Sequence, residues 1–557
     1  MALRAGSECS GRPALTKCRS RPRVKRGARA RGAEELRNVI AHNNLPEDEP
    51  SAWPPGYKDR REDLEHMTAP SFRRLGPLVA LTLALACATN PVTGKTELSL
   101  VSEEQEIALG KQTRDETLAT IGLYENAEAQ ALVRRMGMEM AKASERPHLP
   151  WEFHLIDDDQ VNAFAAPGGF IFITRGILAH MNSEAELASV MGHEIGHVTA
   201  RHSAQQISRM QLGQLGLGVG MILSPTIREL GGSLSQGMQV LFLKFGRDAE
   251  SQSDALGFRY MVADGYDPRG AAELFRTLGR VTERAGQRLP EWASTHPDPG
   301  NRVAMTLRRI DSLKATGRDP ASLKSNDETF VRMLDGMAFG QDPRKGFFRG
   351  STFYHPDLEF QFAFPAEWKT ANLPDRVVAQ APDGNAIMQL RVGKGTPQEA
   401  ADRFFQQHGM RAGTVERSPV NGLDARVGDF ATQLEDGTAV NGAAGFVAHG
   451  GLTYSLIGFA AAQKGDIRGR FREVLSTFRP LTDQAILGVQ PAKVGVVRVP
   501  REMTVKQFHA QFPSTVSVET VALINGVEGP DGVLRAGAYA KRVQGGLPPA
   551  LRDGGAR

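Results

Sequence analysis

Cysteine is scarce: the 557 residues contain three, Cys9, Cys18 and Cys87, and none follows residue 87. A disulfide framework is therefore excluded for the body of the chain, as is a zinc site built on several thiolates. Long apolar runs are also missing. After residue 87 no stretch reaches the roughly 18 apolar residues of a membrane-spanning helix. Positive charge is missing where nucleic-acid binding would need it. The net +4 is made of +9 over residues 1–32, −5 over 33–66, +2 over 67–86 and −2 over 87–557. A body without a basic surplus sets nucleic acid aside as a partner. No repeat with a period of about 30–50 residues is visible, so a helical solenoid is not expected.

What is present is ordinary globular material, 41% hydrophobic and 23% charged, long enough for two to four domains. The segment MTAPSFRRLGPLVALTLALAC, residues 67–87, has the order of a secretory signal: Arg73 and Arg74, an apolar run over 75–86, then a small residue before Cys87. Its end resembles the lipobox of bacterial lipoproteins, although Ala84 stands where leucine is usual. That resemblance implies lipidation of Cys87, a membrane anchor and a start at Met67. Residues 1–66 then read as a disordered basic leader or a mis-assigned start, with an organellar transit peptide as the rival reading. Lipidation of Cys87 would also leave no thiol pair for a disulfide.

Past a short tether, helical patterns are expected over residues 102–117 and 126–143. Residues 151–156 and 169–174 are rich in aromatic and β-branched side chains and read as strands. Ser183, with Glu186 three positions on, reads as a capping box that opens a helix. Residues 213–238 are Gly-rich and weakly apolar. They lack the Lys-Ser/Thr and the strand–helix context of a phosphate loop, and read as a flap or a helix touching a membrane surface. Further helices are expected over 239–263, 268–284 and 299–315. From about residue 346 to 480, alternating apolar and polar residues with frequent turns predict an antiparallel sheet, interrupted by helices near 398–408 and 467–477. A last small unit, about 495–543, holds two helix-like segments between strand-like ends.

The chemistry lies in HEIGHVTARH, residues 193–202. On a helix His193 and His197 differ by about 40° in azimuth and about 6 Å in height, so both imidazoles can meet one ion. Neutral imidazole suits Zn²⁺, and Glu194 sits where it can act as general base on a water. Random order would produce this spacing about 0.02 times in such a chain. The apolar neighbours Leu187, Val190, Met191, Ile195 and Val198 imply burial, and burying these groups without a partner would cost several kcal/mol. A catalytic zinc needs a third protein ligand and an open position. His202 would lie about 180° from His193 on a continuous helix, which leaves it at the surface or behind a ligand. Glu250 and Asp254, four apart in ESQSD, are better placed: Glu250 as the carboxylate ligand, Asp254 as acceptor from a ligand histidine's other nitrogen.

The order of NAFAAPGG (162–169), HEIGHVTARH, ESQSD and THPDPGNR (295–302) resembles metallopeptidase family 48. Its gluzincin branches include CAAX prenyl proteases, HtpX-like membrane proteases and BepA-like periplasmic lipoproteins. Without spanning helices, the chain is most similar to the last of these. The resemblance implies His193, His197 and Glu250 as ligands of one Zn²⁺, with catalytic Glu194, Asp254, His296 and Arg302. His296 then either stabilises the transition state or closes the resting site as an extra ligand. ETVALINGV resembles part of a LysM module, implying peptidoglycan contact, although small units of this kind also serve as packing domains.

The expected fold is α+β. A mainly helical zincin-type domain with a small sheet (87–325) is followed by an antiparallel-sheet domain (345–480) and a LysM-like unit (490–545). The expected function is zinc-dependent endopeptidase action on unfolded or misassembled cell-envelope proteins, from a lipoprotein anchored at the outer membrane. Substrate would pair with the FIFIT strand. The rivals are a self-inhibited protease with one membrane-protein target, and a zinc-stabilised chaperone or cell-wall-binding lipoprotein.

Overall fold

Asn90 shows how the chain enters its fold. Its Oδ1 accepts from the N–H groups of Val92 and Thr93, fastening the turn between β1 (Cys87–Thr89) and antiparallel β2 (Thr96–Leu98). Its Nδ2 donates to the Ala200 carbonyl, so the expected tether is a docked hairpin. The computed structural model describes residues 87–214, 245–285, 291–297, 301–433, 439–462, 467–548 and 551. The leader, the signal segment and nearly all of the Gly-rich stretch 213–238 lie outside these residues.

Helix α1 (Glu103–Thr120) starts from a full capping box between Ser102 and Gln105. Helix α2 (Ala127–Lys142) starts from Asn126, whose side chain accepts from the Ala129 N–H. Both caps satisfy amide groups that a helix start leaves unpaired. Next come β3 (Glu152–Ile156), β4 (Ala163–Ala166) and β5 (Phe170–Thr174). They form one sheet in the order β3–β5–β4, with β3 parallel and β4 antiparallel to β5. The FIFIT strand, β5, is therefore central and buried along its whole length. A substrate cannot pair with it, and the expected free edge must be sought elsewhere.

The outer side of β3 is occupied: the Leu155 carbonyl and amide are engaged by Gln130, and Leu155 O also accepts from Tyr124 N. Beyond β4, no strand is paired among the described residues.

A short helix α3 (Arg175–His180) leads to α4 (Glu184–Thr199), in which every residue is buried. Ser183 caps α4, accepting from the Glu186 N–H at 3.1 Å. The chain turns at Arg201, with φ of 59°, into α5 (His202–Gln214). Beyond the undescribed segment lie α6 (Arg247–Ala263), α7 (Arg269–Ala285), α8 (Glu291–Thr295), α9 (Arg302–Ala315) and α10 (Asp327–Met333). Side chains from α2, β3, β5, α4, α6 and α7 share one apolar core, including Val133, Phe153, Ile173, Leu187, Met261 and Leu274.

The region after residue 346 is the sheet-rich part that the alternating pattern implied. A seven-stranded antiparallel sheet runs in the order β9 (Arg411–Arg417), β10 (Ala425–Gln433), β11 (Ala439–His449), β12 (Leu452–Ala461), β8 (Ala386–Gly393), β7 (Arg376–Gln380), β6 (Lys369–Leu373). Phe405, on the helix Pro397–Phe405, packs with Phe430 and Phe446 of the sheet in one core. Phe471, on the helix Arg468–Ser476, joins Phe353, Phe360 and Tyr454 in another.

The last unit runs strand, helix, helix, strand: Ala492–Arg498, Val505–Gln511, Val518–Ile524 and Tyr539–Gly545, the outer two strands pairing antiparallel. It is continuous with the helical region. Val494 belongs to the same apolar core as α4, and its backbone exchanges hydrogen bonds with Gly336 and Met337, both at 2.8 Å. Lys541 is wholly buried and donates to the carbonyls of Ala179 and Met181, just ahead of α4. Burial pushes the Lys541 amine down and the Glu186 carboxyl up, each opposed by the other's charge.

Burial also holds the imidazoles of His180 and His355 down to about 4. Both are neutral in the folded chain near pH 6, whereas the unfolded chain binds protons there. The stability they contribute is complete above pH 6.5 and is lost as pH falls towards 4, by up to about 1.4 kcal/mol per pH unit for each. Thermal melts should show Tm falling over this range, less steeply for a His180→Gln/His355→Gln variant; identical slopes would contradict this assignment.

Candidate metal centre

Helices α4 and α6 cross almost backbone to backbone. A Cβ on Gly192 would stand 2.8 Å from the Gly257 carbonyl, one on Gly257 2.7 Å from the His193 nitrogen, and one on Gly196 3.1 Å from Ser253 Cα. Only glycine permits that approach. Its consequence is that the i,i+4 pair His193/His197 on α4 faces the i,i+4 pair Glu250/Asp254 on α6.

The polar atoms converge on one point. His193 Nε2 and His197 Nε2 lie 2.9 Å apart, and the Glu250 carboxylate reaches each of them at 3.4 Å. His296 Nδ1 stands 3.2 Å from Glu250 Oε1 and 3.3 Å from His193 Nε2. His193, His197, Glu250 and His296 each offer one donor atom, and these four atoms lie within 4.8 Å of one another in a buried group. Glu194 faces the same space: its Oε1 is 3.8 Å from His296 Nε2, and neither carboxylate oxygen has a hydrogen-bond partner. Behind His193, Asp254 Oδ1 accepts from Nδ1 at 2.9 Å, and Arg302 Nε donates to Asp254 Oδ2 at 2.9 Å. The structure thus brings together all seven residues singled out in the sequence.

These residues fit a metal ion. Ligands around a tetrahedral Zn²⁺ with bonds of about 2.0–2.1 Å stand about 3.3–3.4 Å apart, close to the separations found. The two buried Glu194 carboxylate oxygens, without a hydrogen-bond partner among the described residues, are otherwise costly. The charges agree. Burial works against a proton on His193, yet hydrogen bonds to Asp254 and Glu250 hold its imidazolium up to about 9. The same carboxylates would favour a metal cation in place of that proton. Burial opposes charge on Glu250 and Asp254 as well, but His296 and His193 hold the first well below the usual carboxylate range, and Arg302 and His193 lower the second. Burial pushes Glu194 up.

The sequence pointed past several residues. Trp292 stacks on His296 at 4.4 Å between ring centroids, with the Arg302 guanidinium 5.4 Å from its own. Phe245 stacks on His197 at 4.2 Å. Of the two places expected for His202, at the surface or behind a ligand, the second is found: it is buried with its Nδ1 3.0 Å from His197 Nδ1, brought there by the left-handed residue Arg201, which breaks the continuous helix on which the 180° offset was reckoned. The pair Gly192/Gly196, four apart on one helix face, was the available signal for the close crossing.

Residues 127–310 match the model of peptidase family M48. This stretch is similar to an M48 peptidase domain. Beta-barrel assembly-enhancing protease of Yersinia pestis is 27% identical over 261 residues, covering 45% of this chain and 52% of that protein. The protein of the same name from Escherichia coli strain K12 is 27% identical over 262 residues, with the same coverages. Mitochondrial metalloendopeptidase OMA1 of Arabidopsis thaliana is 35% identical over 160 residues, 28% of this chain and 31% of that protein. The chain thus spans about half the length of the first two relatives and less of the third. HExxH, ESQSD and His296 all fall inside the matched M48 stretch.

Since the M48 centre depends on the helix crossing, Gly257→Ala should force α4 and α6 apart. Loss of about 1–3 kcal/mol of stability is expected from overpacking, together with weaker divalent-metal binding by chelator competition. Parental metal affinity in a folded Gly257→Ala chain would contradict the crossing's role.

Proposed function

We propose that the M48 domain is a zinc-dependent endopeptidase acting on extended segments of unfolded or misassembled cell-envelope proteins. The observation that carries this reading is Glu194: a fully buried carboxylate without hydrogen-bond partners, set against a cluster of metal-donor atoms. A carboxyl group raised by burial and left free to exchange a proton is suited to general-base work. In this reading His193, His197 and Glu250 hold the zinc, which when bound polarises a peptide carbonyl and raises the acidity of a water molecule. Glu194 takes a proton and passes it to the leaving amine. Asp254, held by Arg302, fixes the orientation of His193.

Substrate backbone would pair along β4, residues 163–166 of the NAFAA segment. Adding a strand to this edge admits only extended chain, which favours unfolded segments over folded domains. The envelope setting rests on the names of the bacterial relatives and on the lipobox-like ending at Cys87. Among the described residues, no helix is long and apolar enough to cross a membrane. A lipidated Cys87 would supply the anchor, at the outer membrane. The strand–helix–helix–strand order of residues 490–545 supports the LysM-like reading, with peptidoglycan as its contact, and residues 87–325 and 345–480 remain the other two proposed domains.

His296 favours a second reading. Four protein donors can close a zinc coordination sphere, as in structural sites. The protein would then be either a self-closed protease or a zinc-stabilised chaperone or cell-wall-binding lipoprotein with little proteolytic activity. Casein cleavage at equal zinc content separates these. On the endopeptidase reading the parent chain cleaves casein; on the self-closed reading His296→Ala raises the rate at least several-fold; in either background Glu194→Gln lowers it by about 10²-fold or more. No cleavage by both the parent and His296→Ala, or equal cleavage with and without Glu194→Gln, would contradict proteolysis.

A further inference from the structure

His202 plays no part in the ligand set, yet it is 4% exposed and carries three polar contacts. Its Nε2 stands 3.0 Å from Gln252 Oε1, its Nδ1 3.0 Å from His197 Nδ1 and 3.3 Å from Ser253 Oγ. Proton positions follow from donor and acceptor chemistry. A carboxamide oxygen only accepts, so His202 carries its proton on Nε2. With its single proton on Nε2, the neutral ring keeps a lone pair on Nδ1. That lone pair can face His197 Nδ1 at hydrogen-bond distance only if His197 Nδ1 carries a proton. A His197 ring with its proton on Nδ1 has its lone pair on Nε2, the nitrogen that points into the donor cluster. Ser253, with its hydroxyl beside His202 Nδ1, can donate to the same lone pair.

We propose that His202 is a positioning residue for the metal centre: set by Gln252, it accepts the His197 Nδ1 proton and so locks His197 in the tautomer and ring orientation that present Nε2 to the ion. This rests on the zinc reading above. Metal-bound histidines are ordinarily held this way by an acceptor on the other ring nitrogen, and losing that acceptor commonly weakens metal binding about 10–100-fold. The two ligand histidines are held differently. His193 donates to the anionic Asp254, whereas His197 donates to a neutral imidazole. The glycine crossing supplies the second arrangement as well as the first, because Gln252 and Ser253 lie on α6, on the turn between Glu250 and Asp254.

The test is zinc affinity of the full chain by chelator competition, read alongside the absorption spectrum of the cobalt-substituted protein. If the parent chain binds no stoichiometric zinc, the metal reading fails and this inference with it. If the parent binds zinc, His202→Leu is expected to weaken binding about 10–100-fold. His202→Asn, which offers a side-chain acceptor, should recover most of that loss and the parental cobalt spectrum. Gln252→Leu, at a partly exposed position less demanding of the core, should weaken zinc by a smaller factor, about 3–10-fold. Parental affinity in His202→Leu, no recovery in His202→Asn, or parental affinity in Gln252→Leu would each overturn the proposal. Should His202→Leu fail to fold, the other two variants decide the matter.

Discussion

The near-contact of α4 and α6 at Gly192, Gly196 and Gly257 is the constraint on which the rest of the centre depends. Each helix alone carries an i,i+4 pair, and such pairs are common on solvated helix faces. Neither pair is a metal site by itself. With the backbones in contact, Glu250 spans the two histidines and Asp254 reaches behind His193. A side chain at the crossing would separate these partners by more than a hydrogen bond tolerates. The apolar core around α2, β5 and α7 holds the crossing in place, and Val494 extends that core into the C-terminal unit.

The second theme is charge taken out of water. Glu194, Glu250, Asp254, His193, His197 and His296 are all buried, an expensive arrangement unless the groups compensate one another. Arg302 offsets Asp254, and the imidazoles offset Glu250. Glu194 is left over, with no hydrogen-bond partner for either oxygen among the described residues. A group so placed adds nothing to stability, and its retention makes physical sense through the chemistry it can perform. His296, carried beside the stacked Trp292, stands where it both completes the donor set and lies nearest to Glu194.

The local features were legible in the sequence because they obey local periodicity and spacing: HExxH, the Glu250/Asp254 spacing, the Ser183 cap and the alternating strands after residue 346. Features set by breaks and by neighbours were not. The turn at Arg201 cancels the azimuth reckoned for His202. Strand order is a tertiary property, so the most apolar strand, β5, was taken for the substrate edge when its burial on both faces places it in the centre of the sheet. Asn90 and Lys541 gave no pattern at all, since each acts through long-range contacts to backbone carbonyls. The M48 family match covers residues 127–310, so it bears on the centre and leaves the sheet-rich region to its own physics.

X-ray absorption at the zinc edge of the purified full chain tests the central claim most directly. If the crossing assembles one centre from both helices, the chain holds one zinc per molecule. The ion's nearest neighbours are then nitrogen and oxygen only, at about 2.0–2.1 Å, with outer scattering from at least two imidazole rings. No stoichiometric zinc, or a zinc whose spectrum shows fewer than two imidazoles, would contradict the account.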